Sequence, residues 1–239
     1  MKISILTLFP EMFKGPFDYS IIKKAIDKKI VNINFVNIRG FGVGTHKIVD
    51  DKPYGGGKGM ILKVDVLDRA ISKTKDLKVK NPAGRGQTVV LLTPEGITFN
   101  QSIAQRLSKL KHLILVCGHY EGLDKRVHKF VDEKISIGDF IVTGGEIPAM
   151  LITDAVTRLI KGVLKKGVTN KESFSLPAGR QDPLIEYPQY TKPRRYKNLH
   201  VPKILLTGHH KKIDDWQNKQ SIKNTLKARP DLLKIKRKG

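Results

Sequence analysis

The chain has 239 residues, of which 39% are hydrophobic and 28% are charged, a composition typical of a soluble globular protein with one sizeable domain and room for a small one. Its formal net charge is +23, and the 20 Lys and Arg residues between positions 160 and 239 far outnumber the 6 Asp and Glu residues there. The single cysteine excludes a disulfide framework within one chain, and the basic charge favours a polyanionic partner such as nucleic acid.

The sequence carries no membrane or secretion signal. No apolar run approaches the length of a membrane span. The first ten residues, MKISILTLFP, hold an apolar run too short for a secretory signal and lack a small-residue cleavage site. We therefore expect a cytoplasmic protein without membrane contact. The seven histidines are scattered, and their spacing does not predict a metal site.

The first third of the chain alternates strand and helix patterns. Residues 2–8 are rich in β-formers and predict a strand. Residues 20–29 place their isoleucines and alanine on one helical face, whereas residues 31–35 alternate apolar and polar side chains, which predicts a second strand. Residues 64–75 then predict an amphipathic helix.

The same alternation continues toward residue 160. Asn100 is expected to cap a helix, and a short helix is expected around Val127. A long helix should run over residues 147–160, with Pro148 near its start, where a missing N–H costs little. Strands that alternate with helices predict an α/β fold with a mostly parallel sheet covered on both faces. Three further strands are predicted, over residues 88–92, 112–117 and 135–142.

The last third of the chain has a different composition. Residues 167–193 are polar and rich in Pro and Gly, which is typical of a linker. A basic module follows that contains the only tryptophan, Trp216, and we expect it to be helical up to Ala228, because Arg229-Pro230 ends a helix. The predicted domain boundaries are therefore 1–162 for the α/β domain, 163–190 for the linker and 191–239 for the basic module.

Three glycine-containing segments follow predicted strands: LLTPEG at 91–96, CGHYEGLD at 117–124 and SIGDFIVTGGE at 136–146. Ligands of open α/β sheets bind at the carboxyl ends of strands, so the three segments predict one pocket. The pocket lacks the GxGxxG pattern, a nucleophile-elbow serine and a Cys–His arrangement. This pattern favours an adenosine-type ligand bound largely by backbone groups. The polar side chains nearby are Glu121, Asp124, Asp139, Glu146, Asp154 and Arg158.

A second glycine-rich segment, PYGGGKGM at residues 53–60, follows the carboxylate pair Asp50 and Asp51. It does not match the phosphate loop of nucleotide-binding proteins, because the Lys-Ser/Thr step is missing. A basic glycine loop of this kind can lie against an RNA backbone or allow two chains to approach each other.

Six motifs extend over most of the chain in the order VDDKPYGGGKGM, LVCGHYEGLDKRV, SIGDFIVTGGEIPAM, ESF, EYPQYTKP and LLTGHH. Together they resemble the bacterial tRNA (guanine-N1)-methyltransferases, a family of the knotted SPOUT class of methyltransferases. The resemblance covers Met1 to about Leu233 and is specific as a combination. It implies methylation of N1 of the guanosine immediately 3′ of the anticodon, by an α/β domain with a deep C-terminal trefoil knot and a small helical C-terminal domain.

The resemblance also implies a cofactor, S-adenosylmethionine, held in a bent shape by the three segments that would form the knot. The helix over residues 147–160 would help to bury a homodimer interface, and each active site would draw on both chains. The implied cofactor-binding residues are Leu91, Leu92, Thr93, Pro94, Gly118, Tyr120, Glu121, Ser136, Ile137, Gly138, Asp139, Phe140, Ile141, Val142, Gly144, Gly145 and Pro148.

The chemistry needs a base, because guanine N1 is a poor nucleophile until it loses its proton, and a cation can stabilise the charge that develops on O6. The family's Asp-Ser-Phe motif matches Glu172-Ser173-Phe174, which makes Glu172 the implied base, and Arg158 matches the arginine that supports the guanine. This sequence departs from the family by its glutamate and by a short insertion around residues 177–183. The family is described as magnesium-dependent, although no spacing here indicates a magnesium site.

The glycine loop and the C-terminal module would bind tRNA. Contacts to phosphates position an RNA without reading its sequence. The basic tail, residues 234–239, would add nonspecific affinity. The implied RNA-binding residues are Asp51, Gly57, Lys58, Gly59, Arg194, Arg195, Lys197, Lys211 and Lys212.

Three alternatives remain open from the sequence. Another knotted RNA methyltransferase would act on rRNA or on another tRNA position, but the EYPQYTKP motif and the basic module favour the anticodon-loop enzyme. A noncatalytic RNA-binding protein with this fold would have no need of both Glu172 and Arg158. A phosphate-loop nucleotide binder is disfavoured by the mismatched glycine loop.

Overall fold

The computed structural model describes residues 1–76, 86–175 and 183–233. The chain divides into two compact units, Met1–Leu164 and Lys165–Gly239. Within the described ranges, no helix is both long and apolar enough to cross a membrane.

Two sequence-based predictions fall wholly or mostly outside the described ranges. The insertion around residues 177–183 lies outside them except for Pro183, and the basic tail at 234–239 lies outside them entirely. Both remain predictions.

The first unit is an α/β structure. Its five-stranded sheet has the order β2-β1-β6-β5-β7, and every neighbouring pair of strands is parallel, which confirms the predicted α/β fold with a mostly parallel sheet. In the described residues the strands are β1 (Lys2–Thr7), β2 (Asn32–Asn37), β3 (Asp50–Asp51), β4 (Ile61–Leu62), β5 (Gln87–Thr98), β6 (His112–Cys117) and β7 (Glu133–Ser136). The helices are α1 (Ser20–Asp27), α2 (Val64–Thr74), α3 (Gln101–Leu107) and α4 (Glu146–Thr157).

Two hydrophobic cores lie on opposite faces of this sheet. Along β6, Leu113 and Leu115 join the core that includes residues of α1, α3 and α4, whereas Ile114 and Val116 join the core that includes α2. All six residues of β6 are buried. Burial on both faces is the reason why this strand reads as a continuous apolar run rather than an alternating one.

The capped helix predicted after Asn100 is present as α3. The Asn100 side-chain oxygen accepts a hydrogen bond from the backbone N–H of Ile103 at 3.1 Å. This bond satisfies one of the N–H groups that a helix leaves without an internal partner at its start.

The strand predicted over residues 135–142 is wrong from residue 137 onward. The strand β7 ends at Ser136, and Gly138 has a φ of +142°, which residues other than glycine rarely adopt. The apolar residues Phe140 and Ile141 that suggested a strand are 56% and 83% exposed. They belong to a loop that leads into α4.

The strand predicted over residues 88–92 is too short. β5 continues to Thr98, and its pairing with β7 shifts register between Leu92 and Ile97. At Gly96 a β-carbon would lie 2.5 Å from Cα of Ile135, so the close approach of the two strands requires glycine there. The segment Thr93–Gly96 is therefore an irregular stretch inside a strand, not a loop after its end.

The glycine-rich segment at residues 53–60 is closed by a short antiparallel pair of strands. Asp50 and Asp51 of β3 pair with Leu62 and Ile61 of β4, so residues 52–60 form the loop between them. Four of its glycines have positive φ values, which allows this tight path.

The second unit contains α5 (His210–Ala228) and a pair of two-residue strands, β8 (Arg195–Tyr196) and β9 (Leu199–His200). The helix ends at Ala228, as the sequence predicts. The described part of the predicted linker contacts this helix: Lys171 pairs with Asp214 at 2.8 Å, and the Ile185 N–H donates to Thr225 Oγ1 at 2.8 Å.

Candidate active site

Two of the glycine-containing segments are in direct backbone contact in the first unit, at Cys117–Gly118 and Gly145, a contact called the crossing below. The Gly145 N–H donates a 2.7 Å hydrogen bond to the Gly118 carbonyl oxygen. A β-carbon on Gly145 would lie 2.6 Å from Cα of Cys117 and 2.8 Å from the Gly118 nitrogen. The backbones therefore touch, and a side chain at Gly145 would separate them.

A cavity of about 540 Å³ opens beside this crossing. Its volume is within the range of small-molecule and cofactor sites. All of the residues predicted to bind the cofactor line it except Leu91, which is fully buried, and Asp139, which is exposed. The sequence reasoning missed several lining residues, which are Glu95, His119, Gly122, Leu123, Lys125, His128, Ile135 and Thr143.

The cavity combines apolar side chains with backbone N–H groups of the loop after β7. Leu92, Ile137 and Val142 are among its apolar lining residues. In the part of the chain that the structure describes, no N–H group of residues 139–144 donates to a backbone carbonyl. The loop after β7 therefore offers donors to a ligand, while its apolar side chains suit a flat aromatic ring.

The loop after β7 is shaped by a local hydrogen bond. The Ser136 Oγ lies 3.2 Å from the Gly138 nitrogen, from which it accepts, and 3.1 Å from the Gly138 carbonyl oxygen. Together with the positive φ of Gly138, this contact turns the chain away from the sheet directly after β7.

The glycine loop between β3 and β4 is attached to the segment that follows β6. The Glu121 N–H donates to the Met60 carbonyl at 3.2 Å, and the Leu62 N–H donates to the Gly122 carbonyl at 3.0 Å. A β-carbon on Gly59 would lie 2.5 Å from Cγ of Glu121. The structure thus brings exposed loop residues predicted to contact RNA next to a wall of the cavity.

A buried polar cluster lies behind the crossing. Glu146, the first residue of α4, is 1% exposed, and its Oε1 accepts a 2.7 Å hydrogen bond from Thr7 Oγ1 at the end of β1. Its Oε2 lies 3.7 Å from His119 Nδ1. Burial, and secondarily the charge of Glu146, raise the pKa of the Cys117 thiol well above its usual value, so this cysteine is not a nucleophile.

Charged side chains surround Glu95 at the rim of the cavity. Lys125 donates a short hydrogen bond to Glu95, whose carboxylate also lies 4.0 Å from His128 and 4.0 Å from Lys134. The hydrogen bond from Lys125 lowers the pKa of Glu95, which therefore stays ionised at neutral pH. Burial lowers the pKa of His128, which keeps this imidazole neutral there.

The two implied catalytic residues belong to different units. Arg158 is the C-cap residue of α4 in the first unit. Glu172 lies in the second unit, where it lines a cavity of about 420 Å³ together with Glu186 and Tyr187. Within the described ranges, no group of three or more His, Cys, Asp or Glu residues is placed to hold a metal ion.

All residues predicted to bind RNA are exposed. In the second unit, Arg194, Arg195 and Lys197 lie on the hairpin of β8 and β9, where the Arg195 Nε donates to the Lys197 carbonyl at 3.0 Å. Lys211 and Lys212 lie in the first turn of α5.

Comparisons with known proteins give one family. The model of the family described as tRNA (Guanine-1)-methyltransferase TrmD matches residues 1–235. A tRNA (guanine-N(1)-)-methyltransferase of Carboxydothermus hydrogenoformans is 53% identical over 99% of this chain and 88% of its own length. Proteins of the same name from Dictyoglomus turgidum and Endomicrobium trichonymphae are 49% and 46% identical, over 98% of this chain and 90% and 100% of their own lengths. With a family match over nearly its whole length, this chain belongs to the tRNA (guanine-1)-methyltransferase family.

Proposed function

We propose that this protein transfers a methyl group from S-adenosylmethionine to N1 of the guanosine immediately 3′ of the anticodon in tRNA. The observation that carries the proposal is the cavity at the crossing of the two glycine-containing segments, in a chain that matches the family model over residues 1–235. The high positive charge of the chain and its exposed lysines and arginines suit an RNA substrate.

The residues of the cavity fit the proposed cofactor. The N–H groups of residues 139–144, which donate to no backbone carbonyl within the described ranges, can donate to the ring nitrogens of adenine or to ribose oxygens. Leu92, Ile137 and Val142 supply apolar surface for the ring. Gly118 and Gly145 keep the crossing narrow and free of side chains. Bound adenosylmethionine would supply an electrophilic methyl group on a positively charged sulfur, and the thioether that leaves needs no protonation.

We propose Glu172 as the base that removes the N1 proton of guanine. A carboxylate within hydrogen-bond distance of that proton can accept it in the transition state, an effect worth about 10²- to 10⁴-fold in rate. Arg158 would stabilise the negative charge that develops on O6.

Several finer features are part of the same proposal. These are the trefoil knot around the crossing, the function of the second unit as a tRNA-binding domain reached through a linker over residues 163–190, a cytoplasmic location and the use of Mg²⁺. A homodimer is supported by Ile147 and Leu151, which lie one turn apart on α4 and are 46% and 44% exposed. Apolar side chains placed in this way suit the surface of a second copy.

Primer extension on an unmodified tRNA with guanosine 3′ of its anticodon tests the proposal. After incubation with the protein, adenosylmethionine and Mg²⁺, reverse transcriptase should stop beside that base, because a methyl group on N1 blocks its pairing edge. Glu172→Gln should reduce the rate of appearance of the stop by about 10²-fold or more. Asp231→Asn, which removes an exposed carboxylate of the same unit, serves as the matched control and should leave the rate unchanged.

The outcomes separate the reaction from the assignment of the base. A cofactor-dependent stop that survives Glu172→Gln would keep the enzyme and remove this base. Cofactor binding without a stop, but with methyl transfer to another RNA position, would favour a different knotted RNA methyltransferase. A protein that does not bind adenosylmethionine would refute the proposal.

A further inference from the structure

The buried cluster behind the crossing joins three distant parts of the chain. Thr7 ends β1, His119 follows β6, and Glu146 begins α4. All three are brought together at the wall of the cavity, which His119 lines. Burying a carboxylate costs folding free energy unless hydrogen bonds or opposite charges compensate it. The groups around Glu146 should therefore include such partners.

The first hydrogen bond joins Thr7 to Glu146, and the Thr7 hydroxyl takes part in two hydrogen bonds. The Thr7 Oγ1 accepts a 2.9 Å hydrogen bond from the backbone N–H of Phe9. Its own hydrogen is therefore available for Glu146 Oε1, 2.7 Å away. The ring of Phe9 in turn packs on the ring of His119 with centroids 4.7 Å apart, so the contacts form a closed circuit through Thr7, Glu146 and His119.

One link of the circuit is incomplete. Within the described residues, Glu146 Oε2 and His119 Nδ1 are both buried and have no hydrogen-bond partner, although they lie only 3.7 Å apart. A direct hydrogen bond needs about 2.7–3.2 Å, so a small rotation of the imidazole would bring the two atoms within hydrogen-bond distance. A carboxylate oxygen without a hydrogen can only accept, so a hydrogen bond between these two atoms would have the His119 Nδ1–H as its donor.

The pair also fixes the backbone that lines the cavity. A β-carbon on Gly144 would lie 2.6 Å from His119 Nδ1 and closer still to Glu146 Oε2. The Gly144 backbone thus packs directly on the two polar atoms. The adjacent Gly145 makes the hydrogen bond to Gly118 that joins the two segments.

We propose that Glu146 is a positioning residue for cofactor binding, which accepts hydrogen bonds from Thr7 Oγ1 and His119 Nδ1–H and so holds the His119 ring and the Gly144–Gly145 backbone in the conformation that binds adenosylmethionine. The inference rests on the proposed function only in naming the ligand. Glu146 acts through its neighbours and does not contact the reacting atoms.

Three variants test the hydrogen bonds one at a time in the full-length protein. Glu146→Gln keeps the shape and the acceptor for Thr7 but turns an amide donor toward His119. Thr7→Val removes the hydroxyl with little change in shape, and Thr7→Ser is its matched control because it keeps the hydroxyl. Titration calorimetry with adenosylmethionine should show affinity weakened by about tenfold to about a hundredfold for Glu146→Gln and Thr7→Val, and affinity close to wild type for Thr7→Ser. In steady state, KM for adenosylmethionine should rise while kcat at saturating cofactor changes little.

The tautomer of His119 provides a second measurement, because a variant that only lowers stability would not change which ring nitrogen carries the hydrogen. Long-range ¹H–¹⁵N correlation spectra of the wild-type protein should show the hydrogen on Nδ1, and spectra of Glu146→Gln should show it on Nε2, because the amide then donates to Nδ1. Spectra of the wild type need no variant, so this arm decides the inference even if a variant fails to fold.

Two results would overturn the inference: the hydrogen on Nε2 in the wild-type protein, or equal cofactor affinity for Thr7→Val and Thr7→Ser. A wild-type protein with the Nδ1–H tautomer that does not bind adenosylmethionine would instead refute the proposed function and leave the hydrogen-bonded cluster intact.

Discussion

The crossing at Gly145 gives a prediction that separates close packing from backbone strain. Gly145 has φ −74° and ψ −5°, an ordinary conformation that alanine adopts freely. Any loss of stability in Gly145→Ala must therefore come from the added carbon, which would lie 2.6 Å from Cα of Cys117 and 2.8 Å from the Gly118 nitrogen. Both neighbours are backbone atoms, so no side chain can rotate away to make room.

The expected cost follows from these distances. Forcing a methyl group into a packed site typically costs about 1–3 kcal/mol. Separating the segments also weakens the 2.7 Å hydrogen bond from the Gly145 N–H to Gly118, a further contribution of about 1 kcal/mol. We expect Gly145→Ala to be destabilised by about 2–4 kcal/mol and to bind adenosylmethionine at least about tenfold more weakly, since the cavity opens beside the crossing.

Gly118→Ala is the matched control, because Gly118 lines the same cavity and takes part in the same hydrogen bond. A β-carbon there would have its nearest neighbour at 3.7 Å, an ordinary contact. This variant should be as stable as the wild type or about 0.4–1 kcal/mol more stable, since alanine restricts the unfolded chain. Urea unfolding and titration calorimetry measure both quantities. Equal stability of the two variants in urea unfolding would show that the crossing is not closely packed.

Three further predictions concern other parts of the chain. Asn100→Ala should destabilise the first unit by about 1 kcal/mol in urea unfolding, through loss of the cap of α3, whereas a stability equal to wild type would deny the cap any role. Burial lowers the pKa of His112 to about 4 from an ordinary value of 6.5. Between these two pKa values the unfolded chain binds more protons than the folded one, so the free energy of unfolding falls as the pH decreases. The expected loss from pH 7 to pH 5 is about 2 kcal/mol. His112→Gln should remove this part of the pH dependence, and His46→Gln, which replaces an exposed histidine, should retain it. Lys211→Ala should reduce the slope of log K for tRNA against log salt concentration by about one, whereas an unchanged slope would exclude a phosphate contact at that residue.

The sequence predicted those elements whose signals are local. The strand β6 has its predicted bounds, because its six residues, HLILVC, are all buried and therefore form a mostly apolar run that is visible in the sequence. The end of α5 follows from Arg229-Pro230, and the start of α3 follows from the cap at Asn100. The cavity was predicted because strands of a parallel sheet end at a common edge, so that the segments after them meet.

The errors and omissions come from contacts between distant residues. Apolar residues 140–142 look like a strand, but the conformation of Gly138 ends β7 before them. The extension of β5 depends on Gly96 lying against Ile135, which no local pattern reveals. Likewise, Thr7 and Glu146 are 139 positions apart, and their hydrogen bond exists only once β1 and α4 are in place.

The exposed apolar residues near the cavity fall into two groups with different consequences. Phe140 and Ile141 line the cavity, so a bound cofactor can cover them. Ile147 and Leu151 do not line it, so a cofactor cannot cover them, and the proposed homodimer can. Because the cavity at the crossing lies within one unit, cofactor binding by a monomer is compatible with a reaction that needs both chains. A substitution on the exposed face of α4 should therefore weaken self-association and methyl transfer more than it weakens the binding of adenosylmethionine. This difference is expected if the second copy completes the substrate site rather than the cofactor site.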